Sequence, residues 1–158
     1  MSTTLPEIQE FLDQKRIAVV GVSRNPNDFS RVLFREFERR GYDVVPVNPE
    51  ADEIEGKKCF GHIQEIFPPV DAALLMTAPE VTEGVVRDCA AAGVDRVWMH
   101  RGGGQGAVSD EAVDFCNSQG MLLVAGECPL MFLSKTMWFH RAHGFLRKMT
   151  GRYPISSN

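Results

Sequence analysis

The residues best equipped for chemistry lie in four short stretches rich in Gly, Pro, Ser, Thr and Asn. They are Gly21-Val22-Ser23, with Arg24 and Arg31 after it; Asn48-Pro49; Thr77-Ala78-Pro79; and His100-Arg101-Gly102, which opens a glycine run to Gly106. Backbone amides and hydroxyls with little bulk, beside arginines that suit bidentate phosphate contacts, fit a polyphosphate ligand with a flat base. Cys128, just before Pro129, is a thiol able to face such a ligand. His140 and His143 are three residues apart, but no third metal ligand stands at a sensible spacing, so they read as surface or packing residues. No acid–base or nucleophile–base pair stands out by spacing, which favours binding over catalysis.

Five apolar runs place these stretches. Ile17 to Val20 is rich in β-branched residues and suits a strand buried on both faces. Gly21 and a polar loop to Asp28 follow, and Ser30 is placed to cap a helix from Arg31, whose first amides and dipole favour an anion. Gly41 closes that helix, with Leu33, Phe34 and Phe37 on one face. The other strands are read at residues 42–47, 71–76, 95–99 and 121–125. A helix over 79–92 carries Val81, Val85 and Cys89, and another starts after Ser109. Thr4 and Glu7 have capping-box spacing, which predicts a leading helix over 5–14. A piece around Cys59-Phe60 and a helical turn at 62–66 join the second and third strands. Residues 130–149 read as one helix, whose aromatic positions include Trp138, Phe139 and Phe145.

Strands alternating with helices through short loops predict an α/β, Rossmann-like three-layer fold with a five-stranded parallel sheet and helices on both faces. The order 3-2-1-4-5 would reverse between strands 1 and 4 and gather the loops 21–28 and 100–106 at the ligand-binding switch point. With 158 residues, 44% apolar and 24% charged, the chain reads as one domain with core 15–129. A net charge of −4 argues against nucleic acid, and no run approaches the ~20 apolar residues that cross a bilayer. Four cysteines without metal or disulfide spacing, and no signal peptide, point to a reduced cytoplasmic protein.

The loop after strand 1 lacks the second glycine of G-x-G-x-x-G, and Asn48 stands where NAD enzymes place an acid for the ribose diol. A neutral end with arginines nearby suits a phosphorylated ribose, as in NADP or coenzyme A. From about Lys15 to Pro129 the sequence resembles the small CoA-binding proteins, which are similar to the CoA-binding domain of the succinyl-CoA synthetase α subunit. The matching pieces are Ala18-Val-Val-Gly-Val-Ser23, Asn25-Pro26, Gly41-Tyr-Asp-Val-Val-Pro-Val-Asn-Pro49, Gly56, Pro69-Val-Asp71, Pro79-Glu80, Val97-Trp-Met99 and Cys128-Pro129. The resemblance implies that Gly21, Val22 and Ser23 approach the phosphate and pantetheine region. It puts Asn48 and Pro49 at the adenosine end, with Thr77, Ala78 and Pro79 walling the cleft. The family usually has Gln after its Trp-Met pair; His100 stands here, followed by Arg101 and Gly102. The leading expectation is non-catalytic binding of CoA or an acyl-CoA. The alternatives are an NADP-dependent redox enzyme and a protein-interaction module with a vestigial cleft. The terminal helix is a candidate surface for a homodimer or another protein partner.

Overall fold

The structure, a computed structural model, describes residues 3–102 and 104–133. The expected helix residues 134–149, with Trp138, Phe139, His140, His143 and Phe145, lie outside the described residues. Helix α1 (Leu5–Leu12) opens the fold, and the Glu7 carboxylate accepts from the Thr4 backbone N–H at 2.7 Å. Strand β1 (Arg16–Val20), helix α2 (Phe29–Arg39) and strand β2 (Asp43–Val47) follow. A two-stranded hairpin, β3 (Glu53–Ile54) and β4 (Lys57–Lys58), then precedes a 3₁₀ turn at Ile63–Glu65. Strand β5 (Ala72–Leu75), helix α3 (Pro79–Ala91), strand β6 (Arg96–Met99), helix α4 (Asp110–Ser118) and strand β7 (Leu122–Ala125) complete the order. No helix among the described residues is long and apolar enough to cross a membrane.

The five long strands form one parallel sheet in the order β2-β1-β5-β6-β7. Neighbouring side chains along each strand go to opposite faces. Ile17, Val19, Leu74 and Trp98 pack with α1 and α2, against Phe11, Leu33, Phe34 and Phe37. Ala18, Val20, Leu75 and Met99 pack with α3 and α4, against Val86, Cys89, Ala112 and Cys116. This is the expected Rossmann-like α/β architecture.

The 3-2-1-4-5 pattern is met with one change of occupant. Phe60 makes a parallel bridge to Val47 on the outer side of β2 and so holds third place. Its N–H donates to the Pro46 carbonyl at 3.0 Å, and its carbonyl accepts from Asn48 N–H at 2.9 Å. The strand expected in third place, now β5, lies instead beside β1 in fourth place. Pro46 is the physical reason: it has no N–H to give a long neighbour on the side its carbonyl faces, so only a short segment pairs there. Meanwhile Ala72 to Leu75 are fully buried and belong inside the sheet.

The order therefore reverses between β1 and β5. The loops that meet there are Gly21–Asp28 and Thr77–Pro79; the 100–106 loop, expected at that point, stands one strand further along. At α2 the cap is Asp28 rather than Ser30, and the helix starts two residues earlier than expected.

Candidate functional site

Gly21 ends β1 with φ +87°, a conformation that favours glycine, and its N–H donates to the Val47 carbonyl at 3.0 Å. A Cβ at this position would lie 3.0 Å from the Met76 carbonyl carbon and oxygen. The ends of β1, β2 and β5 therefore approach as closely as the backbone permits. Above them opens a cleft of about 500 Å³. Val20, Gly21 and Met76, at the ends of β1 and β5, line it. Its lining also takes in Ala78, Val81, Gly84, Val85 and Asp88 of α3 and its start, and Asn48-Pro49 with Gly61-His62-Ile63, where His62 Nδ1 comes within 3.9 Å of Asp88 Oδ2.

Of the residues singled out in the sequence, Gly21, Asn48, Pro49, Thr77 and Ala78 line this cleft, and Pro79 starts the helix that walls it. Asn48 has a structural reason to be neutral. Its Nδ2 donates to the Val22 carbonyl at 2.9 Å and its Oδ1 accepts from Glu50 N–H at 2.8 Å, tying the first two loops together. An aspartate there would offer no donor to that carbonyl. Thr77 and Thr82 share a hydroxyl hydrogen bond of 2.8 Å, and Thr82 also donates to the Ala78 carbonyl.

The start of α2 differs from the open anion site its position suggested. Asp28 accepts from Ser30 N–H at 2.8 Å and from the Ser30 hydroxyl at 2.6 Å. Ser23 N–H donates to Ser30 Oγ, and the N–H groups of Asn25 and Asn27 bond within the loop. A carboxylate already occupies that helix end. The start of α3 carries no side-chain cap, and Ala78 at its N-cap faces the cleft. Pro79 there has no N–H and Val81 N–H donates to the Ala78 carbonyl at 2.9 Å, so in that first turn the Glu80 N–H and the helix dipole are what an anion would meet.

The remaining candidates lie outside the cleft lining. Val22 is fully buried in the core. Arg31 is buried and fully committed: Nε to Glu55 at 2.9 Å, and Nη1 to the carbonyls of Ser23 and Arg24 at 3.2 Å. Arg35 reaches the same Glu55 oxygen at 2.7 Å. Burial alone would raise the Glu55 carboxyl, but the two guanidinium hydrogen bonds outweigh it and hold its pKa below the ordinary value. Arg24 is exposed, 3.4 Å from Glu50, at the rim beyond Pro49.

His100 is buried, its ring 5.5 Å from that of Phe29, and its Nε2 has no hydrogen-bond partner among the described residues. Burial lowers its pKa and keeps the imidazole neutral near pH 7. Gly102 lies against the ring: a Cβ on it would stand 3.4 Å from Cε1. Arg101 is exposed and donates from Nε to the Gly104 carbonyl at 2.8 Å.

Cys89 and Cys116 are buried as expected; burial pushes their thiols up to about 12 and about 11. Burial also raises Cys59, whose Sγ lies 3.6 Å from the Asn48 carbonyl. Cys128 is half-buried. Sequence reasoning missed Gly61, His62, Ile63, Gly84 and Asp88 as cleft residues. The available signal was a glycine inside a helical pattern, which usually has a packing or functional reason.

The comparisons agree with this architecture. The chain is 32% identical over 123 residues to the uncharacterized protein YneT of Bacillus subtilis, covering 77% of this chain and 88% of that one. Over 125 residues it is 26% identical to the acetate–CoA ligase [ADP-forming] II subunit alpha of Pyrococcus furiosus, covering 75% of this chain but 27% of that subunit. Among solved structures, a hypothetical protein from Pyrococcus horikoshii OT3 superposes with a TM-score of 0.77 at 28% identity, over 84% of this chain and 92% of that one. Residues 15–134 match the CoA binding domain, so by its sequence and by the cleft at its sheet edge the chain belongs to that family.

Proposed function

We propose that the protein binds coenzyme A or an acyl-CoA in the cleft between β1 and β5, and catalyses no reaction by itself. The observation that carries this reading is the cleft's position. It opens at the point where the strand order reverses, between Gly21, which lets backbone and ligand approach, and the uncapped start of α3. Asn48, Pro49, Thr77, Ala78 and Pro79 contribute the walls. Arg24 stands at the rim as the cation for a phosphate, and Arg31 shapes the loop that carries it. His100, Arg101 and Gly102, which follow β6 one strand further along, are the residues we assign to the ligand's chain beyond the cleft. The ligase subunit that this chain resembles is nearly four times as long as the matched region.

Mass spectrometry of natively purified protein, followed by titration calorimetry with CoA, NADP and NAD, tests this. CoA is expected both as the carried-over ligand and as the tightest binder. Binding of NADP with no response to CoA would replace this reading with the redox one.

A further inference from the structure

The residues after Glu127 differ in charge from the rest of the chain. They include none of its 21 acidic residues and five of its 17 basic ones, Lys135, Arg141, Arg147, Lys148 and Arg152, in a chain whose net charge is −4. The structure fixes the helical phase in which this stretch begins. Residues 130–133 are helical. Leu133 is buried in the core with Phe11 and Trp98, and the Phe132 ring lies 6.2 Å from that of Trp98. Met131 is 62% exposed. By sequence position, Trp138 and Phe145 stand seven and fourteen residues after Met131. At 3.6 residues per turn they share one arc of about 120° with Phe139, Leu146 and Met149. His140, Arg141, His143, Arg147 and Lys148 fall on the other side, the one that begins with Phe132 and Leu133, where Met137 is the apolar exception. Lys135 is the charged position inside the arc, and its long stem can lie along apolar surface. The positions that continue the domain-packed side are thus cationic, and those that continue exposed Met131 are aromatic and apolar. The domain's own core is not what this arc is patterned to meet.

We propose that residues 131–149 attach the protein to an anionic lipid surface as an amphipathic helix lying in the interface. Trp138 and Phe145 enter the boundary between headgroups and acyl chains, and the arginines and lysines meet the headgroup phosphates. This is attachment, not crossing: the apolar arc covers one side only and charges interrupt the run. Charge favours lipid over a second copy of the chain. A second copy would add five more cations and no acid, whereas anionic headgroups neutralise those already present. The inference is independent of the CoA reading.

Flotation of the full chain with vesicles tests the proposal. The protein should float with vesicles of phosphatidylglycerol and phosphatidylcholine in equal parts, and not with phosphatidylcholine alone. Raising the salt from about 0.1 M to about 1 M should weaken the attachment at least tenfold, since the screening length falls from ~10 Å to ~3 Å. Arg147→Glu combined with Lys148→Glu should cost about tenfold or more. Phe145→Glu should abolish flotation and Phe145→Leu should keep it, each with the wild-type melting temperature. The chain's other tryptophan, Trp98, is fully buried. A vesicle-induced blue shift of tryptophan emission should therefore vanish in Trp138→Phe, which still floats. No flotation with either vesicle, equal flotation with both, or undiminished flotation of Phe145→Glu would overturn the proposal. So would a wild-type dimer that does not float and that Phe145→Glu dissociates, which would give the arc to a second copy.

Discussion

Two arginines near the nucleotide loop look alike in the sequence and have different partners in the structure. Arg31 holds Glu55 and two loop carbonyls. Its replacement by alanine is expected to lower stability by about 2 kcal/mol, because the half-buried Glu55 carboxylate loses a charged hydrogen bond. Arg24 has only a 3.4 Å contact to exposed Glu50. Arg24→Ala should leave the melting temperature unchanged and weaken CoA about tenfold. Chemical denaturation and calorimetry on the two variants separate these roles. Glu55 adds a pH signature. Its folded pKa lies below the ordinary 4.5, so its stabilisation is complete above that value and is lost as pH falls through the folded pKa. Glu55→Gln should flatten the acid limb of the stability–pH curve; an unchanged limb would show that other carboxylates set it.

The cysteines differ in the same way. Cys59, Cys89 and Cys116 are buried with raised pKa values, while Cys128 is half-buried where β7 runs into its loop. CoA disulfide should transfer one CoA to Cys128 by thiolate exchange, releasing one CoA thiol. Peptide mapping after such treatment is expected to find the adduct there; an adduct at Cys59 would mean that the cleft, rather than exposure, directs the reaction.

At the level of elements, helix starts divide by use. The α4 start is sealed by Ser109, whose Oγ accepts from Ala112 N–H at 3.3 Å, and α2 by Asp28. Among the described residues, α3 alone of the helices along the sheet edge has an uncapped start opening into the cleft. Ser109 was legible as a cap from the serine before an acidic first turn. Asp28 was not, because Ser30 two residues on has the same chemistry, and which of them caps depends on where the loop's own hydrogen bonds leave the chain. Gly21 could be assigned to a tight turn from the sequence. That its space is taken by the Met76 carbonyl follows only once β5 is known to lie beside β1.

For the whole molecule, binding and folding are linked. A ligand present at a hundred times its dissociation constant stabilises the fold by about 2.7 kcal/mol. For a chain of this size that is a rise of roughly 5–10 °C in Tm. CoA should produce it and NAD should not; a shift with NAD alone would remove the CoA assignment.

The sequence by itself determined the strands, the two-faced burial of the first, the parallel class and the cluster of small residues at the strands' carboxyl ends. Those are local properties: apolar runs, β-branched residues, glycines and caps act within a few positions of one another. Tertiary structure decided which strands are neighbours, because that choice depends on hydrogen bonds between distant segments. Pro46, in view from the start, acquires its meaning only beside Phe60. The same long-range pairing moved the switch point to β5, turned Arg31 inward to Glu55, and brought His62 to within 3.9 Å of Asp88 in the lining of one cleft.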